Sequence, residues 1–266
     1  MQNYIKMLVT NSAVWFTFTF FALCESIVVE DLPKCHLDDS DCLRDLYEMV
    51  IKEIIENGLP EQDIPPMEPM IIENVTFNIH EVANLTIVEG MAKGIKECIV
   101  EKFSINITEG IGHQENTCDI SVEGHYIMEA FSPLFKNFLG EEYMHGNGYG
   151  KSETENMHLI FDFPFNVIQH DDGEIYIKCI YDLIKYDYEN REKVVYAADN
   201  IVVGDEDISE LMLEMMNENW RIVMSTCAQP FMDKSVESYF KFVGYFFDSV
   251  PARHYIIEDL SPYLKP

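Results

Sequence analysis

Residues 207–251 read DISELMLEMMNENWRIVMSTCAQPFMDKSVESYFKFVGYFFDSVP, and this stretch decides the fold. Asp207 can cap a helix, and Glu210 follows at the spacing of a capping box. Apolar residues then recur at steps of three and four: Ile208, Leu211, Met212, Met215, Met216, Trp220, Val223, Met224, Cys227 and Phe231. Beyond Pro230, where a bend is expected, come Val236, Tyr239, Phe240, Val243, Phe246, Phe247 and Val250. This is the period of a long helix whose apolar stripe needs cover over most of its length. Asn217, Glu218, Asn219, Arg221, Asp233, Lys234 and Glu237 interrupt it too often for a membrane span. A large apolar surface must therefore pack against it.

Upstream, between Ile71 and Val203, the period changes to two. Segments 76–80, 84–88, 98–107, 118–128, 157–167, 174–188 and 194–203 read as strands, with Asp172-Gly173 as a hairpin turn. No clear helical pattern separates them, so antiparallel order is expected. Nearer the N-terminus, Leu43, Leu46, Tyr47, Val50, Ile51, Ile54 and Ile55 share one helical face, and Asn57-Gly58 ends that helix. The proline-rich run 58–70 is too broken for helix and is either a linker or an extended segment; its apolar residues favour packing on the domain. The class this predicts is α+β: a highly curved antiparallel β-sheet rolled around a long C-terminal α-helix, with a shorter N-terminal helix.

The chain has 266 residues, 47% of them hydrophobic, enough for a substantial core in one large domain or two small ones. Its formal net charge is -29. Such a surface repels phosphate, so nucleic-acid binding and stable docking on anionic membranes are not expected. Residues 1–26 read as a signal peptide, with Lys6 before the apolar region 13–23 and cleavage near 24–26. Residues 27–266 remain as a single domain, expected to be secreted and extracellular. Losing Cys24 leaves six cysteines, an even number that suggests disulfides but permits 15 full pairings. Asn74, Asn84 and Asn106 each open an Asn-x-Thr sequon, a candidate glycosylation site.

Motifs for chemistry are sparse. Gly146-x-Gly148-x-Gly150 lacks the spacing and context of a dinucleotide loop, and no Gly-x-Ser-x-Gly elbow occurs. His80-Glu81 has no second histidine at zinc-protease spacing, the eight histidines are scattered, and Cys-x-x-Cys is absent. No enzyme, cofactor or metal site is expected. A secreted esterase assembled from distant residues stays as an alternative.

Four features together are similar to the takeout / juvenile hormone binding protein family of insects. They are Cys35-x6-Cys42 before an amphipathic helix; the run Gly58-Leu59-Pro60 to Ile64-Pro65-Pro66-Met67-Glu68-Pro69; Gly146-Asn147-Gly148 after Gly124-His125-Tyr126; and Asn217-Glu218-Asn219-Trp220 in a long helix closed by Val250-Pro251. The resemblance covers roughly residues 32–263. It implies a rolled sheet with the N-terminal helix closing one end, and a secreted carrier holding juvenile hormone, another terpenoid, a quinone or a fatty acid in an internal cavity. It pairs Cys35 with Cys42, and Cys179 with Cys227 between sheet and long helix; Cys98 and Cys118 fall outside that pattern and are a candidate extra bridge. Departures in the glycine segment and the extreme acidity leave the ligand open.

Fourteen methionines and seventeen phenylalanines suit an adaptable lining. Burying about 350 Å² of an isoprenoid gains roughly 9 kcal/mol gross, before association costs. Candidate ligand contacts are Tyr126, Tyr181, Trp220, Met224, Phe231 and Phe240, with His125 beside the tyrosines as an orienting polar group. Residues such as Met215, Met216, Met224 and Phe240 serve a closed core equally well, so the carrier reading rests on the whole-chain resemblance. The alternative is a secreted signalling or interaction protein without a dedicated ligand, working through an unidentified receptor.

Overall fold

A computed structural model describes residues 29–265 other than 61–62, 81, 134–135 and 137–139. The expected signal segment lies outside the described residues. The elements are α1 (Ser40–Asn57), β1 (Met70–Ile79), β2 (Ala83–Lys93), β3 (Ile99–Asn106), β4 (Ile111–Phe131), β5 (Tyr143–Gln169), β6 (Ile175–Cys179), β7 (Lys185–Asn190), β8 (Val194–Ala198), β9 (Ile201–Val203) and β10 (Glu206–Asp207). Helices α2 (Ser209–Glu218), α3 (Trp220–Cys227) and α4 (Gln229–Ser249) follow. Among the described residues no helix is long and apolar enough to cross a membrane.

The strands form one ten-stranded antiparallel sheet in the order β1-β2-β4-β5-β9-β10. β3 adds to β4, and β6, β7 and β8 add to β5. The long central strands pair from Ile111↔Pro164 to Phe131↔Tyr143. Register shifts at Ile87/Glu89, Val100/Lys102 and Cys118/Ile120 mark bulges. Each bulge bends its strand and adds twist, so the sheet curls instead of lying flat. The hairpin expected at Asp172-Gly173 joins β5 to β6, with Gly173 at φ 84°.

The curl closes on α4. Phe231 stacks on Phe77 of β1 at 4.0 Å, and Phe240 meets Phe161 and Phe163 of β5 at 5.2 and 5.7 Å. Tyr239 reaches Tyr47 of α1, and Gln229 donates to the Tyr186 hydroxyl on β7. Phe242, Gly244 and Phe246 are buried beside Val236, Phe240, Val243 and Phe247, so α4 is covered on more than one face. At Gly244 a Cβ would fall 1.7 Å from the Tyr181 hydroxyl oxygen, so only glycine lets that ring lie on the helix.

The rest of the expected long helix departs from the sequence reading. It is broken at Asn219 and again at Ala228, and Pro230 sits in the first turn of α4, where its missing N–H costs no hydrogen bond. Asp207 is not the cap. It lies in β10, where its carboxylate accepts from the Ser209 amide and hydroxyl, and Ile208 precedes α2 without a side-chain cap bond. α2 has no buried residue and α3 has one, Trp220. This half rests at the rim against β8 and β9. There the Asn217 amide accepts from the Tyr196 N–H and donates to its carbonyl, both at 2.8 Å, closing the edge of β8 like a one-residue strand. The segment read as one strand, 174–188, is β6 and β7 separated by a turn of 3-10 helix at Tyr181–Leu183.

The N-terminal helix follows its pattern: all seven residues of the predicted face are buried. Asp39 Oδ1 caps it, accepting from the Cys42 amide at 3.0 Å. Gly58 ends it at φ 70°, where a Cβ would lie 2.3 Å from the Ile64 carbonyl oxygen. The proline-rich stretch packs on the core through Leu59, Ile64 and Met67.

Cys35 is bonded to Cys42, and Cys98 to Cys118. The second bridge follows from register: Ile99 pairs with Thr117, which sets Cys98 opposite Cys118 with Cα atoms 4.3 Å apart. The expected Cys179–Cys227 bridge is not formed; both thiols are free. Cys179 packs beside Phe240, Val243 and Phe247. Phe240, the first of these along α4, is 11 residues and roughly 16 Å from Gln229 at the start of that helix, next to Cys227 and far beyond the 7 Å Cα limit for a bridge. Burial pushes the Cys179 thiol up to about 12. Non-reducing peptide mapping after iodoacetamide at pH 8 is expected to recover both bridges intact, with Cys179 labelled only after unfolding. A Cys179–Cys227 peptide would overturn this. Replacing Cys98 and Cys118 by serine is expected to cost about 3 kcal/mol, the value for a loop of this size.

Candidate functional site

The interior of the roll is the candidate site. Its larger core joins α1, β3, the first half of β4, the second half of β5, β6 and α4. A smaller core at the other end holds Tyr126, Ala130, Met144, Ile201 and Val203. In the larger core a void of about 30 Å³ lies between α1, Phe103 and Ile105 of β3, and Val243, Phe246 and Phe247 of α4. A second void of about 10 Å³ is bounded by Tyr47, Gln114, Phe163, Phe165, Cys179 and Phe240.

The six sequence candidates do not form one lining. Phe240 borders the second void and is 2% exposed. Tyr181 and Met224 pack against the same core from its margin. Phe231 is stacked on Phe77, and Trp220 starts α3 with the Arg221 guanidinium 4.3 Å over its ring. Tyr126 sits in the smaller core, where its hydroxyl donates to the Asp199 carbonyl at 2.7 Å. Its ring lies on Gly146, and Asp199 Oδ1 fills the space a Cβ at Gly148 would need. The glycine segment thus serves to seat Tyr126 and the Asp199 turn. His125 is on the strand face opposite to Tyr126, edge-on to Tyr149 at 5.9 Å.

What the sequence reading missed is polar. Gln114 is 0% exposed and Asn116 is 4% exposed, both inward-facing on β4. Gln114 Nε2 donates to the Tyr239 hydroxyl at 3.0 Å, and that hydroxyl is 2.8 Å from the Tyr47 hydroxyl. Burial raises both tyrosines above their ordinary range, so both remain neutral. Gln114 Oε1 and Asn116 Oδ1 have no hydrogen-bond partner. A buried polar atom left this way costs about 1–3 kcal/mol. The group is a polar patch inside an apolar sleeve, able to meet the head of an amphiphile. The alternation Gly112, Gln114, Asn116, Cys118 would have revealed it, had the strand been started at Ile111 and not at Cys118.

An antiparallel sheet thus curls about an apolar helix and encloses a polar patch. Residues 15–256 match the family model described as haemolymph juvenile hormone binding protein, so the chain belongs to that family, one of binding proteins rather than enzymes. The fold is similar to the crystal structure of Epiphyas postvittana Takeout 1, with a TM-score of 0.74 and 20% identity over 85% of this chain and 99% of that one. No match is found among curated proteins.

Proposed function

We propose that the chain is a secreted carrier of an elongated hydrophobic small molecule, held between α1, the sheet and α4. The observation that carries this reading is the Tyr47–Tyr239–Gln114 group, with Asn116 beside Gln114 on β4, enclosed in an apolar interior. Ligands with a long apolar body and one polar end suit it: a terpenoid ester such as juvenile hormone, a quinone or a fatty acid. Family membership and the likeness to Takeout 1 support the same reading. Secretion accords with two disulfides and three exposed sequon asparagines, Asn74, Asn84 and Asn106, which we take as the glycan sites.

Voids of about 30 and 10 Å³ do not hold such a molecule, since ligand pockets run to about 300 Å³ or more. The larger void has α1 as one wall, with six of its side chains in the lining from Leu43 to Ile54. Loading therefore involves displacement of that wall and of the phenylalanines facing it.

A second reading has its own observation. Leu211 and Met215, one turn apart on α2, are 47% and 53% exposed, and Ile222 on α3 is 64% exposed. With a nearly filled interior, this suits a protein that docks on a partner through its rim. Native mass spectrometry of protein from its natural source, then lipid extraction, decides between them. A stoichiometric apolar adduct supports the carrier. Adduct-free protein that binds none of a farnesoid ester, a long-chain quinone or a fatty acid overturns it.

A further inference from the structure

We infer that the outer face of the sheet carries a zinc-binding site formed by His158 of β5, Glu115 of β4 and Glu101 of β3. The site is independent of the interior and of the carrier reading. His158 and Glu115 project outward because their neighbours Met157, Leu159, Gln114 and Asn116 project inward. Register brings them together: Thr117 pairs with both Ile99 and His158, and Glu115 with Lys102 and Ile160. The bulge between Val100 and Lys102 adds Glu101 to the same patch.

The His158 side chain is only 9% exposed, although it lies on the outside of the roll. Its Nε2 is buried and makes no hydrogen bond of good geometry, yet it stands 3.3 Å from Glu101 Oε2 and 3.3 Å from Glu115 Oε2. All three atoms lie within 4.8 Å of one another. Zinc binds nitrogen and carboxylate oxygen at about 2.0–2.2 Å in a tetrahedron, whose edges are then about 3.3 Å. The two nitrogen–oxygen separations match that edge.

The other oxygen of each carboxylate is already engaged. Glu115 Oε1 accepts from Lys102 Nζ at 2.7 Å and lies 3.1 Å from His113 Nε2. Glu101 Oε1 accepts from the Thr117 hydroxyl at 2.6 Å and lies 3.6 Å from an Arg191 guanidinium nitrogen. These contacts orient the carboxylates and leave both Oε2 atoms turned to the imidazole. Such outer contacts are what fixes ligands around a metal. Two carboxylate oxygens and one imidazole nitrogen are a donor set that zinc accepts, and the nitrogen favours zinc over calcium, which takes six to eight oxygens. The fourth position is left for water or an outside ligand. Bound there, zinc would clip β3, β4 and β5 together on the side away from α4.

The test uses full-length mature protein stripped with EDTA and titrated with Zn²⁺ by calorimetry, then with Co²⁺ in the visible range. Wild type should show one site well above the weak background of surface carboxylates, and the absorption of four-coordinate cobalt. His158→Ala should lower affinity at that site at least about 100-fold, beyond the 10–100-fold typical of losing only an outer contact, and abolish the cobalt bands. Glu101→Gln, at a side chain 36% exposed, serves if His158→Ala does not fold, and should weaken zinc at least about 10-fold. His36→Ala, in the exposed group with Asp38 and Glu258, should change neither readout. Only weak multisite binding in wild type, or equal binding by wild type and the folded variants, would make the three side chains a strand-bridging polar cluster without a metal, and would overturn the site.

Discussion

Phe240→Asp is expected to abolish the fold. The ring is 2% exposed and sits among Phe161, Phe163 and Tyr239. Truncating a buried phenylalanine costs about 3–5 kcal/mol, and an unpaired carboxylate at that place adds several more. Together these approach the whole stability of a typical domain, about 5–15 kcal/mol. Circular dichroism on heating should show no cooperative transition, and expression should yield aggregate. Met224→Asp is the comparison. Met224 is half-buried at the margin of the same core, and the variant should fold with a loss nearer 1–2 kcal/mol, in the usual range for single substitutions. A normally folded Phe240→Asp would place α4 outside the sheath.

Gln114→Leu is expected to move stability and binding in opposite directions. Leucine of similar size removes the unpartnered Oε1; it also removes the Nε2 bond to Tyr239, worth about 0.5–1.5 kcal/mol, but that hydroxyl keeps its bond to Tyr47. Relief of an unsatisfied buried oxygen is worth about 1–3 kcal/mol, more than the lost bond, so Tm should rise by roughly 2–4 °C for each net kcal/mol in a chain of this size. If the patch holds a ligand's polar end, losing one hydrogen bond of about 1.4 kcal/mol lowers affinity about tenfold. A headless hydrocarbon of the same length should bind both proteins alike. A lower Tm with unchanged affinities would make Gln114 a structural residue whose oxygen meets a trapped water; the adjoining 10 Å³ void is near the size of one.

The elements with one strong period were legible. The α1 face from Leu43 to Ile55 and the stripe from Val236 to Val250 were both visible in spacing alone, because each is buried along its length. The breaks at Asn219 and Ala228 were not, since apolar spacing continues through them while the packing partner changes from β8 and β9 to the curled interior. Pairing of cysteines depended on register: Cys98 meets Cys118 through the ladder of β3 on β4, which no single segment encodes. The placing of Cys179 on the wall away from Cys227 is likewise a matter of which helical turn each strand meets. The polar patch was half legible, through alternation on β4, but its partners Tyr47 and Tyr239 come from two helices 192 residues apart. The His158 cluster was invisible to motif spacing because each ligand comes from a different strand.

The order of synthesis has a consequence for how this chain is made. α4 is the filling of the roll, yet it is encoded in residues 229–249 of 266. Until those residues leave the ribosome, Phe161, Phe163 and Phe165 have only α1 beside them and not the helix that fills the roll. From the synthesis of β5 until α4 emerges, the nascent chain must carry a bare greasy concavity, a target for chaperones and for other nascent chains. A stop codon ahead of Gln229 should therefore send the product to degradation, and not yield a shortened but working sheet.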